Sequence, residues 1–254
     1  MNATVPPLLR ALAFCGVLGC AYGASAWFDC APGGWQLRAH FEDPSAQSTR
    51  AESLHVLARL RAFAAEEPGA ARGAVLLLGS STIERWPIAD TFPGKCVLDH
   101  GLAGTTLVRQ ERLFDACLPP STPAGVVLYS GSLDLRQPSE PLEQALARLP
   151  RLVQRLRVRY GHALPITLLG ILPARHMDEA ARKSLAETNE SLRVLARENA
   201  LSFVPTDRPP LAGADNCLPE SLSVDELHLN AEGYRVLARW LVTEGGEAGR
   251  ALAP

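Results

Sequence analysis

Five short apolar runs, each joined to the next through a stretch of different character, limit what this chain can fold into more than any other feature. They lie at 74–78, 96–99, 125–129, 165–171 and 201–204. Helical periodicity occupies 48–65, where Leu54, Leu57, Leu60 and Phe63 recur at near-helical spacing, and again 105–117, 140–159, 178–199 and 231–243. Strands without polar alternation must be covered on both faces, which a parallel sheet with helical crossovers achieves. Right-handed crossovers then place helices on both sides. The predicted fold class is α/β, a three-layer α/β/α sandwich around a central parallel sheet of about five strands.

Two stretches break the rhythm. Residues 205–223 have no periodicity and contain four prolines, and an irregular loop of this length in a compact domain tends to carry function. The Gly/Ala-rich tail after Glu244 reads as a frayed end.

The N-terminus differs from the rest. Arg10 precedes an uncharged stretch from Ala11 to Phe28, closed by small residues and then Asp29. A cation, a short apolar run and small residues form the pattern of a secretory signal. Cleavage after Ala24 or Ala26, retention of residues 11–28 as a membrane anchor, and lipidation at Val17-Leu18-Gly19-Cys20 all stay open. The expected division is a signal peptide or anchor over 1–28 and one domain over 29–254. The location is then exported: periplasmic, membrane-anchored or secreted. Cys30, Cys96, Cys117 and Cys217 form an even set, which in an oxidising compartment suggests disulfides. Cys96 and Cys117 fall at the same end of one βα unit, so the expected pairing is Cys96–Cys117 and Cys30–Cys217. Four buried free thiols are the alternative. The formal net charge is −2 with no dense Lys/Arg block, which argues against nucleic acid as a partner.

In an open parallel sheet, ligands bind beyond the carboxyl ends of the strands, so the residues just after each run matter most. Gly79-Ser80-Ser81-Thr82 follows the first run. A serine at such a helix start can aim its hydroxyl into the cleft while its own N–H binds an oxyanion; it can also simply cap the helix. Near the other end stands Asp225-Glu226-Leu227-His228, then Gly233-Tyr234. A carboxylate three residues before a histidine can orient the imidazole as general base for a hydroxyl nucleophile, or Asp225 can cap the next helix. Arg175, beyond the fourth run, is a candidate for a substrate carboxylate or phosphate, or for a surface ion pair. His40, His55, His100 and His162 lack an acid arrangement like that of Asp225 and His228 and read as structural or surface residues. No Gly-x-Ser-x-Gly elbow, phosphate-cradling Gly-x-x-x-x-Gly-Lys loop or full Gly-x-Gly-x-x-Gly occurs.

Together, the Gly79-Ser80-Ser81-Thr82 and Asp225-x-x-His228 blocks resemble the SGNH/GDSL hydrolase superfamily, in its bacterial Gly-Ser-Ser branch. The resemblance implies a flavodoxin-like strand order 2-1-3-4-5 and a catalytic set of Ser81, Asp225 and His228. It also implies an oxyanion hole from the N–H groups of Ser81 and Gly104, with Gly101 as the alternative to Gly104; the plainer reading is that both glycines only turn the backbone into the next helix. The third block, Tyr129-Ser130-Gly131-Ser132-Leu133-Asp134, departs from the family pattern: Leu133 stands where the family usually places an asparagine donor. Asp134 is expected to stabilise its loop.

The implied activity is hydrolysis of acyl or acetyl esters through an acyl-enzyme, without metal or organic cofactor. The implied partners are small-molecule, glycan or lipid esters. The alternatives are an acyltransferase to a cell-envelope polysaccharide and, because of Leu133, a weakly active or inactive binding module.

Overall fold

β1 (Val75–Gly79) is buried along its whole length, between β2 (Val97–Gly101) and β3 (Gly125–Tyr129), both parallel to it. β4 (Ile166–Leu169) and β5 (Ser202–Val204) complete an all-parallel sheet in the order β2-β1-β3-β4-β5. The chain runs outward from β1 to β2 and then crosses back to β3, so the order reverses beside β1. A crevice therefore opens past the ends of β1 and β3. The coordinates are a computed structural model describing residues 44–254, with side chains from Ser53 onward.

Successive strand residues point to opposite faces. Leu76, Leu78, Val126, Leu128 and Leu168 enter one core with Leu152 and Leu156 of the helix Leu149–Tyr160 and Leu185 and Leu192 of the helix Glu179–Glu198. Val75, Leu77, Val127, Tyr129 and Val204 enter a second core with Ile83, Trp86 and the helix Ala231–Glu244. Two cores on one sheet make the α/β/α sandwich expected from the runs. The compact unit is Val56–Pro254. Residues 44–55 fall in a separate unit and begin the helix Pro44–Ala64.

Several local expectations are corrected. The stretch 140–159 is two helices, Leu142–Leu146 and Leu149–Tyr160, because Pro150 fits only the first turn of a helix and restarts it. The segment 105–117 is the helix Leu107–Leu113 followed by a 3-10 turn, Phe114–Cys117. The tail after Glu244 is ordered: the helix Gly246–Arg250 buries Ala248, and Leu252 joins the second core. Its glycines allow this approach. A Cβ on Gly249 would stand 1.9 Å from the Leu241 carbonyl oxygen.

The cysteine pairing is also corrected. Cys96, Cys117 and Cys217 are free thiols. Cys117 points into the first core while Cys96 is exposed ahead of β2, so neither faces the other. Burial pushes the Cys117 thiol up to about 12. Cys217 is buried with its sulfur toward the Met177 carbonyl. Among the described residues, then, no cysteine is in a disulfide. Cys30 and the 1–28 segment lie outside the described residues, among which no helix is long and apolar enough to cross a membrane.

Candidate active site

Gly79 ends β1 where only a glycine fits, since a Cβ there would stand 2.2 Å from the Tyr129 carbonyl oxygen of β3. The chain turns at once into the helix Ser81–Glu84. Ser80, its N-cap, makes no side-chain capping bond; it is buried with its hydroxyl 3.5 Å from that of Ser132. Ser81 opens the helix, so its N–H lies among those with no intrahelical acceptor. The turn is fixed from behind. Ile83 and Trp86 are buried, Trp86 packs on Tyr234 with ring centroids 5.3 Å apart, and the Tyr234 hydroxyl donates to the Thr82 carbonyl at 2.9 Å. Burial raises the Tyr234 phenol, which keeps it a donor.

The opposite block sits on a short loop closed by a bridge between Ser223 and Leu229 and by a bond from the Val224 N–H to the His228 carbonyl. Asn230 caps the following helix, Ala231–Glu244, by accepting from the Gly233 N–H. Asp225 does not cap that helix. Its Oδ1 accepts from the N–H groups of Leu227 and His228, both at 2.8 Å. Its two oxygens stand 2.9 and 2.8 Å from His228 Nδ1. Burial works against this carboxylate, but the Leu227 N–H, the His228 ring, the His228 N–H and the ring's charge outweigh it and hold Asp225 at about 2.

The structure brings the two blocks together. Ser81 Oγ stands 2.8 Å from His228 Nε2, across 147 residues of sequence. With Nδ1–H directed at Asp225, Nε2 presents its lone pair to the serine hydroxyl. One neighbour was not read from the sequence. Arg85 Nη1 lies 3.3 Å from Asp225 Oδ2 and 3.1 Å from His228 Nδ1. Two donors cannot bond to each other, so in this tautomer the guanidinium binds the carboxylate and shares it with the ring.

Ser81 and His228 open onto a cavity of about 230 Å³, lined also by Gly104, Ser132, Leu133, Arg85 and Arg136. A larger cavity of about 440 Å³ lies elsewhere, along the last long helix and the C-terminus, and touches none of these residues. Gly104 takes a left-handed turn, φ 69°, between β2 and the next helix. Gly101 is the last residue of β2 and does not line the cavity. Asp134 is buried and accepts from the Leu107 N–H with both oxygens, fixing the start of the helix Leu107–Leu113. Burial raises Asp134, and that bond partly offsets it.

One side-chain expectation is corrected. Arg175 does not line the cavity. Its guanidinium donates to the Ser223 hydroxyl at 3.2 and 2.9 Å and stands 3.9 Å from Glu220, which is the surface ion-pair alternative, and its N–H donates to the Glu226 carbonyl, so it braces the loop that carries Asp225 and His228. His100 does have an acid partner. It is buried between the Cys117 carbonyl, 2.6 Å away, and Glu66, 3.1 Å away, and it stacks on Phe63. His100 is itself a residue of β2 and does not line the cavity, so it is structural, as the sequence reading expected.

Solved structures share this fold. The chain is similar in fold to a Streptococcus pneumonia protein named as a platelet activating factor, at 22% identity and a TM-score of 0.67, covering 79% of this chain and 98% of that one. A GDSL-like lipase from Bacteroides thetaiotaomicron follows at 18% identity and 0.62, covering 72% and 92%. A mutant of Axe2, an acetylxylan esterase from Geobacillus stearothermophilus, matches at 17% identity and 0.55, covering 68% and 94%. No curated protein is significantly similar in sequence. Residues 84–236 match the GDSL-like Lipase/Acylhydrolase family, a span that includes Asp225 and His228 and starts three positions after Ser81. With more than half its length inside that match and the fold of its structural relatives, the chain belongs to the GDSL-like lipase/acylhydrolase family.

Proposed function

We propose that this protein is a serine esterase in which Ser81, His228 and Asp225 act together on acyl or acetyl esters. The observation that carries the reading is the 2.8 Å contact between Ser81 Oγ and His228 Nε2, with Nδ1 of the same ring on Asp225. His228 Nε2 takes the Ser81 proton as Oγ attacks the ester carbonyl carbon. The N–H groups of Ser81 and Gly104 receive the developing oxyanion. Collapse breaks the ester C–O bond, and His228 returns the proton to the leaving alkoxide, which departs as the alcohol. Water, deprotonated by the same nitrogen, then attacks the acyl-serine. It releases the carboxylic acid and restores the Ser81 hydroxyl. A cavity of about 230 Å³ favours short acyl groups, acetyl above all, and the similarity to an acetylxylan esterase points the same way.

Leu133 lines this cavity without a hydrogen-bonding group, which favours a second reading, a binding module with little turnover. One experiment decides. A fluorophosphonate should label the wild type and leave Ser81→Ala unlabelled; an unlabelled wild type would sink the esterase reading in favour of the binding module. Export through residues 1–28 belongs to the same proposal, and N-terminal sequencing of protein recovered outside the cytoplasm tests it. Only intracellular, unprocessed chain would refute it.

A further inference from the structure

The cavity beside Ser81 carries an unusual balance of charge. Two arginines, Arg85 and Arg136, and His228 line it, and none of the described residues lining it is a carboxylate. Arg85 is already engaged by Asp225. Arg136 is different. Its Nη2 donates to the Leu172 carbonyl at 2.9 Å, its Nη1 reaches the Ser132 carbonyl at 3.5 Å, and among the described residues no carboxylate comes within ion-pair distance of it. Two backbone oxygens occupy only part of a guanidinium's five N–H donors and neutralise none of its charge. They do fix its position, because Leu172 is itself fully buried just past β4.

Arg136 also stands at a seam. With Leu227 it lines both the Ser81 cavity and a neighbouring one of about 350 Å³, lined also by Ala174, Met177, Leu185, His176 and one carboxylate, Glu226. A ligand that places its ester carbonyl at Ser81 and extends past Leu227 therefore runs by this guanidinium.

We propose that Arg136 is a specificity-determining residue that binds a negatively charged group, carboxylate or phosphate, on the ester substrate. The inference rests on the esterase reading and narrows it to anionic esters. The partly desolvated, pre-positioned guanidinium gains a charge-assisted bond to such a group, and a neutral ester gains nothing comparable.

The test compares 4-acetoxybenzoate and 4-acetoxyphenyl phosphate with the neutral methyl 4-acetoxybenzoate, using wild type, Arg136→Gln and Arg136→Lys. The ratio of kcat/KM, anionic over neutral, should exceed one in the wild type and fall with added salt. Arg136→Gln should reduce that ratio about 10- to 100-fold, the worth of a hydrogen bond to a charged group, chiefly through KM. Arg136→Lys should retain part of it, which a misfolded variant would not. Whichever anion shows the larger ratio identifies the source. A wild-type ratio of one or less, or a ratio that Arg136→Gln leaves unchanged, overturns the proposal. Failure of the esterase reading looks different: no Ser81-dependent hydrolysis of any of the three esters. The anion site is then read by calorimetric titration with 4-hydroxybenzoate and 4-hydroxyphenyl phosphate. Binding lost in Arg136→Gln supports it, and no binding, or binding the substitution does not weaken, overturns it.

Discussion

The Tyr234 hydroxyl donates a buried hydrogen bond to the Thr82 carbonyl, tying the helix after the Asp225–His228 loop to the turn that holds Ser81. The two ends of the candidate site are thus joined behind the cavity as well as across it. Tyr234→Phe removes the donor and leaves the carbonyl buried and unpaired, so it should destabilise the protein by about 1–3 kcal/mol. Denaturant unfolding measures this, and an unchanged midpoint would show that the bond contributes nothing.

Asp225 gives a pH prediction. Its carboxyl is held at about 2 against an ordinary value of 3.8, so the unfolded chain binds its proton first. Its contribution to stability is therefore complete above about pH 4 and lost as pH falls through about 2. The stability difference between wild type and Asp225→Asn should be flat from pH 5 to 7, by this linkage, and shrink below about pH 4. A difference that instead grows in acid would contradict the bonding described.

The same substitution tests catalysis. An amide at 225 no longer holds Nδ1–H, and the ring can turn its protonated nitrogen toward Ser81. Turnover should drop by about 10²- to 10⁴-fold while the fold is kept. Steady-state kinetics on a p-nitrophenyl ester report it, and near-normal turnover would remove Asp225 from the mechanism.

Leu133 lines the cavity, and the sequence resemblance aligns it with the family's usual asparagine. Leu133→Asn should raise turnover on a small p-nitrophenyl ester by up to about 10²-fold, the usual worth of one oxyanion donor. No change, or a fall, would mean that the alignment of this block with the family's is wrong or that another group already fills the role.

Gly249 tests the C-terminal helix. A valine there meets the Leu241 carbonyl, so Gly249→Val should cost about 1–3 kcal/mol, read as a lower Tm. A frayed tail would show no cost at all.

The layered fold was legible because the strand runs are buried on both faces and nothing local competes with that pattern. Ser81, Asp225 and His228 were legible because each follows a strand or enters a helix in a recognisable block. Legibility ended where meaning depends on distant partners. Arg85 meets an acid 140 positions away, and Arg136 a carbonyl 36 positions away. The acid beside His100 is Glu66, which no short-range pattern links to it. Arg175 was visible, but its role depends on Ser223, 48 residues on. The tail looked frayed because Gly and Ala carry no periodic signal, although small residues are what its close packing needs.

That 147-residue span from Ser81 to His228 has a consequence for biosynthesis. The ribosome completes all five strands before His228 is added to the growing polypeptide. A nascent or prematurely terminated product can therefore bury much of its sheet yet hold a serine with no base beside it. On the proposed mechanism, newly made chains stay chemically silent until the loop with Asp225 and His228 has emerged and docked against Ser81.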